Sequence, residues 1–301
     1  MTQKQANLIL ASVSMGWGTS YLFMKLCVDT ISPLTIIALR FGIAFIVMMV
    51  IFYQKVILID AKTLKYSAIV GAVLCSIFIA LLFGMKNTTA SSAGFLTSTT
   101  VILVPILQTF ITRKLPSKKI FLGVLVVTSG LALLTIRDDL TFAFSSLFCL
   151  IAAFLYAVHI IITNHFARVV DTLKLGIYQL GFAALYGTIG SYIFESPVLP
   201  KGVTHWSAIL GLALISSAYG FVMQPIAQKY TTPETTGFLF SLEPIFSAIF
   251  AFIFLHENMG LQGYVGSLLI LAGVFIANAR FKKQQKFRIS KGKGRLKEGK
   301  F

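Results

Sequence analysis

KNTTASSAGFLTS (Lys86–Ser98) and KYTTPETTGFLFS (Lys229–Ser241) follow one pattern at an offset of 143 residues. At that offset Lys86–Thr135 falls on Lys229–Asn278 without a gap. Thr88 then meets Thr231, Thr89 meets Thr232, Gly94 meets Gly237, Phe95 meets Phe238, Leu96 meets Leu239 and Ser98 meets Ser241. Farther along, Gly123 meets Gly266 and Gly130 meets Gly273. Apolar composition alone produces chance matches among Leu, Ile and Val. It does not produce a clustered Gly-Phe-Leu-x-Ser run and paired glycines, so the two segments read as copies.

The medium in which they fold is set by composition. The 301 residues are 56% hydrophobic and 12% charged, with a mean hydropathy of +0.85. Soluble domains carry about 25% charged residues, and a spanning helix needs about 20 apolar ones. Apolar windows divided by charge or turn clusters predict ten spans. They lie near Asn7–Val28, Pro33–Tyr53, Lys65–Gly84, Ala90–Thr112, Ser117–Ile136, Thr141–Thr163, Leu173–Phe194, Trp206–Gln228, Pro233–Leu255 and Leu261–Arg280. The first window is long enough to span and is read as a helix rather than a leader. Cys27, Cys75 and Cys149 lie in or beside apolar runs with no Cys-x-x-Cys pair, and read as packing residues.

Ten spans and one repeat give an all-α membrane protein of two five-helix halves, residues 1–138 and 139–280, followed by a basic tail, 281–301. Five is odd, so the halves enter the membrane from opposite sides as an inverted repeat, the architecture of many secondary carriers. Charge orients them. One face collects Lys4, Lys55, Lys62, Lys65, Arg113, Lys114, Lys118, Lys119, Arg168, Lys174, Lys229 and every Lys and Arg from Arg280 onward. The other holds Lys25, Lys86, Arg137 and Lys201, and Arg40 lies within a span. The positive-inside rule puts both termini in the cytoplasm of a multi-pass cell-membrane protein. The tail carries most of the net +16 and reads as an anchor against anionic lipid. With stacking aromatics scarce and no motif present, it predicts no nucleic-acid partner. Gly292-Lys293-Gly294 lacks the spacing of a phosphate loop.

The chain resembles the two-repeat EamA-type branch of the drug/metabolite transporter superfamily. Trp17-Gly18-Thr19-Ser20 with Lys25, Arg40-Phe41, Ala93-Gly94-Phe95-Leu96 with Pro105, and Leu242-Glu243-Pro244 followed by Glu257 carry the likeness. It covers about residues 6–280. It implies ten helices around a central cavity and export of small metabolites, often amino acids or related compounds. Arg113-Lys114 stands where many relatives carry an acidic residue.

Within the spans, a few polar residues are the candidates for a substrate pathway. Glu243 lies about ten residues into its span, roughly 15 Å deep, where a carboxylate is costly unless paired, protonated or wetted. It reads as a solute- or proton-binding point, or as a structural partner of Arg40. Pro244 beside it withholds a donor from Phe240 in a continuous helix. Arg40 is placed to bind an anionic group, to snorkel outward or to pair structurally, and Lys25 to bind solute or anchor at the interface. Trp17, Ser20, Tyr21 and Met24 share one helical face, either cavity wall or packing face. Tyr156 and His159 share another. Thr97, Thr99, Thr100 and Gln108 make the fourth span polar in its middle, and Gln179 and Gln224 are lesser candidates of the same kind. No nucleophile–base pair, metal spacing or cofactor motif stands out. The alternative class is a membrane-embedded enzyme acting on a lipid-linked substrate, which usually gathers several acids or His near one interface. The acids here are scattered.

Overall fold

The computed structural model describes residues 1–113, 118–135, 144–258 and 260–278. The basic tail 281–301, Lys114, Arg137 and the boundary between the two predicted halves lie outside the described residues. Among those described the chain is helical and has no strand. In order come α1 (Gln3–Val28), α2 (Pro33–Ile51), a single turn α3 (Tyr53–Val56), α4 (Ala61–Met85), α5 (Ala90–Thr97), α6 (Thr100–Thr112), α7 (Lys118–Thr135), α8 (Phe144–Phe166) and α9 (Thr172–Phe194). Then follow α10 (Gly202–Gly211), a π-helical segment (Leu212–Gly220), α11 (Phe221–Gln228), α12 (Pro233–Phe240), α13 (Glu243–Leu255) and α14 (Gly260–Asn278).

Among the described residues six segments are long and apolar enough to cross a bilayer: Pro33–Ile51, Ala61–Met85, Ala90–Ile111, Ser145–Phe166, Gly202–Gln228 and Pro233–Leu255. Shorter apolar runs lie at Phe121–Gly130 in α7 and Gly260–Gly273 in α14. Large apolar side chains such as Val50, Phe110, Phe121, Phe252, Phe254 and Leu268 face outward, which water does not favour and lipid does. Cys27, Cys75 and Cys149 are free and buried.

Local chemistry starts and stops the helices. Thr2 forms a capping box with Gln5 at α1, and Pro33 and Pro233 open α2 and α12, where a missing N–H is harmless. Asp60 caps α4, and hydrogen bonds from the Thr63 hydroxyl and N–H hold its carboxyl below the usual range. The fourth and ninth predicted spans are each broken. Between α5 and α6, Ser98, Thr99 and Thr100 hydroxyls donate to the carbonyls of Phe95, Leu96 and Thr97. Backbone bonds there tighten to three-residue steps. Between α12 and α13, the Ser241 hydroxyl donates to Phe238 in the same way. Such side-chain bonds satisfy carbonyls that a broken helix leaves bare in an apolar medium. Pro244 therefore does not sit mid-helix as the sequence predicts. It lies in the first turn of α13, where its missing N–H costs little.

Packing contacts recur at the 143-residue offset. A methyl group on Gly94 would meet Ser247 and Pro244, and one on Gly237 would meet Val104 and Val101. Gly130 lies against Gly266 and Ile270, and Gly273 against Gly123 and Val127. Thr89 caps α5 as Thr232 caps α12. Arg113 and His256, also one offset apart, both end their helices in the left-handed region with φ of 54° and 53°. α7 packs on α14, α4 on α8 and α9, α2 on α9 and on the π-helical segment, and α1 on α13. The end of α5 and the starts of α11 and α13 meet the inner parts of α1, α4 and α8.

Candidate functional site

Where those helices meet is a small cavity lined by Trp17, Ser20 and Tyr21 of α1, Leu74, Ile77, Phe78 and Leu81 of α4, Thr97 of α5, Tyr156 of α8, Phe221 of α11 and Glu243 of α13. The space open to a water-sized centre is about 20 Å³, close to the ~10–15 Å³ that one water needs. The walls close it by aromatic packing. Trp17 lies 4.8 Å from Phe221, 4.7 Å from Phe240 and 5.7 Å from Tyr156, ring centre to ring centre. The Trp17 indole N–H donates to the Ser216 carbonyl at 2.9 Å, fixing the ring against the π-helical segment.

Glu243 is the acid of this site. It is 8% exposed and stands at the first position of α13, so the positive end of that helix's dipole falls on its carboxylate. Tyr21 of α1 and Thr97 of α5 line the cavity with it. Close packing holds the acid in place: Gly18 of α1 sits against Phe246 and the Glu243 carbonyl, and any added Cβ would lie 3.1 Å from that oxygen. Gly94 approaches the same helix from α5.

Six of the residues named from sequence thus meet around one cavity: Trp17, Ser20, Tyr21, Thr97, Tyr156 and Glu243. The others do not line it. Arg40, fully buried, neither pairs with Glu243 nor snorkels outward. Its Nε donates to Ser217 Oγ at 3.0 Å, Nη2 to Ser216 Oγ at 2.7 Å and Nη1 to Met24 Sδ at 3.5 Å. The guanidinium lies 4.1 Å from the Phe78 ring centre, a stacking that suits a desolvated Arg. Lys25 donates to the Met85 carbonyl at 3.3 Å and so ties α1 to the end of α4. Thr100 braces α6 on α8 through the Ala153 carbonyl at 2.9 Å. Pro244 packs on Gly94. His159 stands behind the wall, its ring 6.2 Å from Tyr156 and 6.1 Å from Phe221.

This arrangement offers no nucleophile paired with a base, and among the described residues no cluster of His, Cys, Asp or Glu could hold a metal. What it offers is a closed aromatic box with one acid, at a helix break inside a lipid-facing bundle. The EamA-like transporter profile matches residues 4–136 and again 143–279. The chain belongs to the EamA-like transporter family. Membership places it in the drug/metabolite transporter superfamily and makes it a multi-pass membrane protein. It is similar to an uncharacterized transporter of Archaeoglobus fulgidus, 26% identical over 91% of this chain and 86% of that one. It is also similar to the uncharacterized transporter YetK of Bacillus subtilis, 24% identical over 91% of this chain and 87% of that one. A solved crystal structure shares the fold with a TM-score of 0.70 at 19% identity, covering 92% of this chain and 97% of that one.

Sequence reasoning missed the α4 wall of Leu74, Ile77, Phe78 and Leu81. Apolar residues that face a cavity carry the same letters as those that face lipid. Phe221 was equally hidden. Its signal was the π-helical segment before it, and residue periodicity does not reveal that segment.

Proposed function

We propose that this EamA-family chain is a secondary transporter of small metabolites, such as amino acids or related compounds, working as an exporter by alternating access around the Glu243 cavity. Its ten spans form two inverted repeats, residues 1–138 and 139–280, with both termini and the basic tail at the cytoplasmic face. The observation that carries this reading is Glu243. A buried carboxylate at a helix break, facing an enclosed aromatic cavity in the middle of the bundle, has no packing use that an apolar residue would not serve better.

The repeat is supported by the matched contacts of Gly94 with Gly237 and Gly130 with Gly273, and by the two successive family matches. In an inverted repeat the two halves can exchange conformations, so the closed cavity would open to one face and then to the other. The broken spans fit that motion, because each half-helix can pivot at a hydroxyl-bonded break without stranding carbonyls. Trp17, Tyr21 and Tyr156 would supply the contact area for a solute, Ser20 and Thr97 hydrogen bonds, and Glu243 the charge. Arg40, held by Ser216 and Ser217, positions the π-helical segment that leads into Phe221.

The test is flux of a panel of labelled amino acids and amines across proteoliposomes, run beside turnover of added lipid substrates. Saturable flux without lipid turnover is the expected outcome. Lipid turnover without flux would overturn the proposal and favour the enzyme class.

A further inference from the structure

Buried polar atoms without a partner gather in one part of the molecule. Among the described residues they are His159 Nδ1 and Thr163 Oγ1 of α8, both amide atoms of Gln224 and of Gln228 in α11, Thr231 Oγ1 just beyond, and Asn7 Oδ1 of α1. His159, Thr163, Gln224 and Gln228 are fully buried. Each of the two pairs is four residues apart and so shares one face of its helix, and α8 packs on α11. A polar group left unbonded in an apolar medium is costly. Its retention here calls for a state or a ligand that satisfies it.

The column has a defined beginning and end. It begins behind Tyr156 and Phe221, which line the central cavity and flank His159. The hydrogen bonds fix the tautomer there. Gln179 Nε2 donates to the Phe221 carbonyl at 2.7 Å, so the atom it turns to His159 Nε2, 3.2 Å away, is its oxygen. An oxygen only accepts, hence His159 Nε2 carries the hydrogen, and Nδ1 points into the column as the unpartnered atom. The column ends at the turn after α11. There Asn164 donates to the carbonyls of Gln228 and Thr231 at 2.9 and 3.2 Å, and Arg168 donates to Thr231 at 3.2 Å.

The repeat shows that the fold does not require this polarity. At the 143-residue offset Gln224 and Gln228 fall on Leu81 and Met85 of α4, both buried and apolar. One half of the molecule has polar side chains where its counterpart has hydrocarbon.

We propose that this column is the cytoplasmic half of the transport path. It is a vestibule that takes water and hydrogen-bonding solutes between the central cavity and the cytoplasm, with Tyr156 and Phe221 as the gate between them. It rests on the transporter reading and on the orientation given above. Its lining of amides, hydroxyls and an imidazole offers both donors and acceptors. Charge stands at its mouth, on Arg168, which donates to the Thr231 carbonyl, and on the exposed Lys229 next to Gln228.

The test needs no known solute. Cys27, Cys75 and Cys149 are replaced by alanine, and Thr163→Cys and Gln228→Cys are exposed to a charged, membrane-impermeant methanethiosulfonate from each side of oriented vesicles. Lys62→Cys and Lys201→Cys mark the two faces. Both column positions should react from the Lys62 face alone. Silence from both faces, or reaction from the Lys201 face, overturns the proposal. A second variant, Gln224→Leu with Gln228→Leu, should slow labelling at Thr163→Cys at least tenfold and raise the thermal unfolding midpoint, because it removes unbonded buried groups. A lowered midpoint with labelling unchanged would mean that the glutamines only pack. Absence of flux in the parent protein is a separate result, which bears on the transporter reading rather than on this path.

Discussion

The Glu257 carboxylate closes on the first turn of α5: one oxygen accepts the Ala90 N–H at 2.9 Å, and the other accepts the Ser91 N–H at 3.1 Å and its hydroxyl at 3.0 Å. An acid is well placed at a helix N-terminus, where donors lack partners and the dipole is positive. At the 143-residue offset the counterparts of Ala90, Ser91 and Glu257 are Pro233, Glu234 and Lys114. A proline has no N–H to give, so the same acid cap is not available to α12. In the ten-span reading the tie lies at the outer face and holds α13 to α5 there. Glu257→Ala should lower stability by about 1–2 kcal/mol. Glu257→Gln should cost nearly as much, since its amide turns a donor toward a donor. Thermal unfolding in detergent checks both, and a silent Glu257→Gln would contradict the capping role.

The glycine contacts predict both matched and unmatched effects. A methyl on Gly130 would lie 2.6 Å from the Gly266 carbonyl, and one on Gly273 would lie 2.7 Å from the Gly123 carbonyl. Both are backbone atoms that cannot swing aside. Gly130→Ala and Gly273→Ala should therefore destabilise the α7–α14 pair by similar amounts, about 1–3 kcal/mol each. Gly94→Ala meets Ser247 Oγ at 2.8 Å, whereas Gly237→Ala meets nothing nearer than 3.8 Å. The first should be costly and the second close to neutral. Equal costs at Gly94 and Gly237 would show that the two breaks are packed alike and that this contact pattern is wrong.

Arg40 leads to a predicted order of stability costs between its own replacement and those of its serine partners. Ser216→Ala or Ser217→Ala leaves a guanidinium N–H buried without its acceptor, at about 1.5–3 kcal/mol for a bond to a charged group. Arg40→Met removes the charge along with the need for those acceptors, and should cost less than either serine change. Melting curves of the three variants settle the order. If Arg40→Met is the worst of them, the cation contributes something that these hydroxyls and rings do not explain.

Much of this architecture was legible because the repeat is written in glycine, threonine and serine, which composition does not scatter into register by chance. Gly94 and Gly237, like Gly130 and Gly273, pack against residues related by the same offset. Trp17, Ser20, Tyr21, Thr97, Tyr156 and Glu243 were legible as polar or amphipathic residues inside apolar spans. The helix breaks were not, since the hydroxyls of Thr97–Thr100 read equally well as a polar wall of a continuous span, and Ser241 is a single polar residue between Phe240 and Leu242. The hydroxyls that sustain those breaks also occur in continuous helices. Arg40 was read toward Glu243 because opposite charges invite pairing. Its actual partners, two serines and a phenylalanine, advertise nothing in sequence. The unpartnered column on α8 and α11 was half visible, as His159 and Gln224, but burial without partners is a property of packing alone.

The most direct measurement is solute counterflow in proteoliposomes, with the wild-type chain beside Glu243→Gln. The variant keeps the shape of the side chain and some of its hydrogen bonding but can carry no charge. Arg40 does not lean on Glu243 for a partner, so the variant should fold and melt as the parent does. The account predicts counterflow of at least one amino acid or amine by the wild type, with a dependence on pH, and little or none by the variant at an equal amount of folded protein. Wild-type flux with an unchanged pH profile in Glu243→Gln would contradict it.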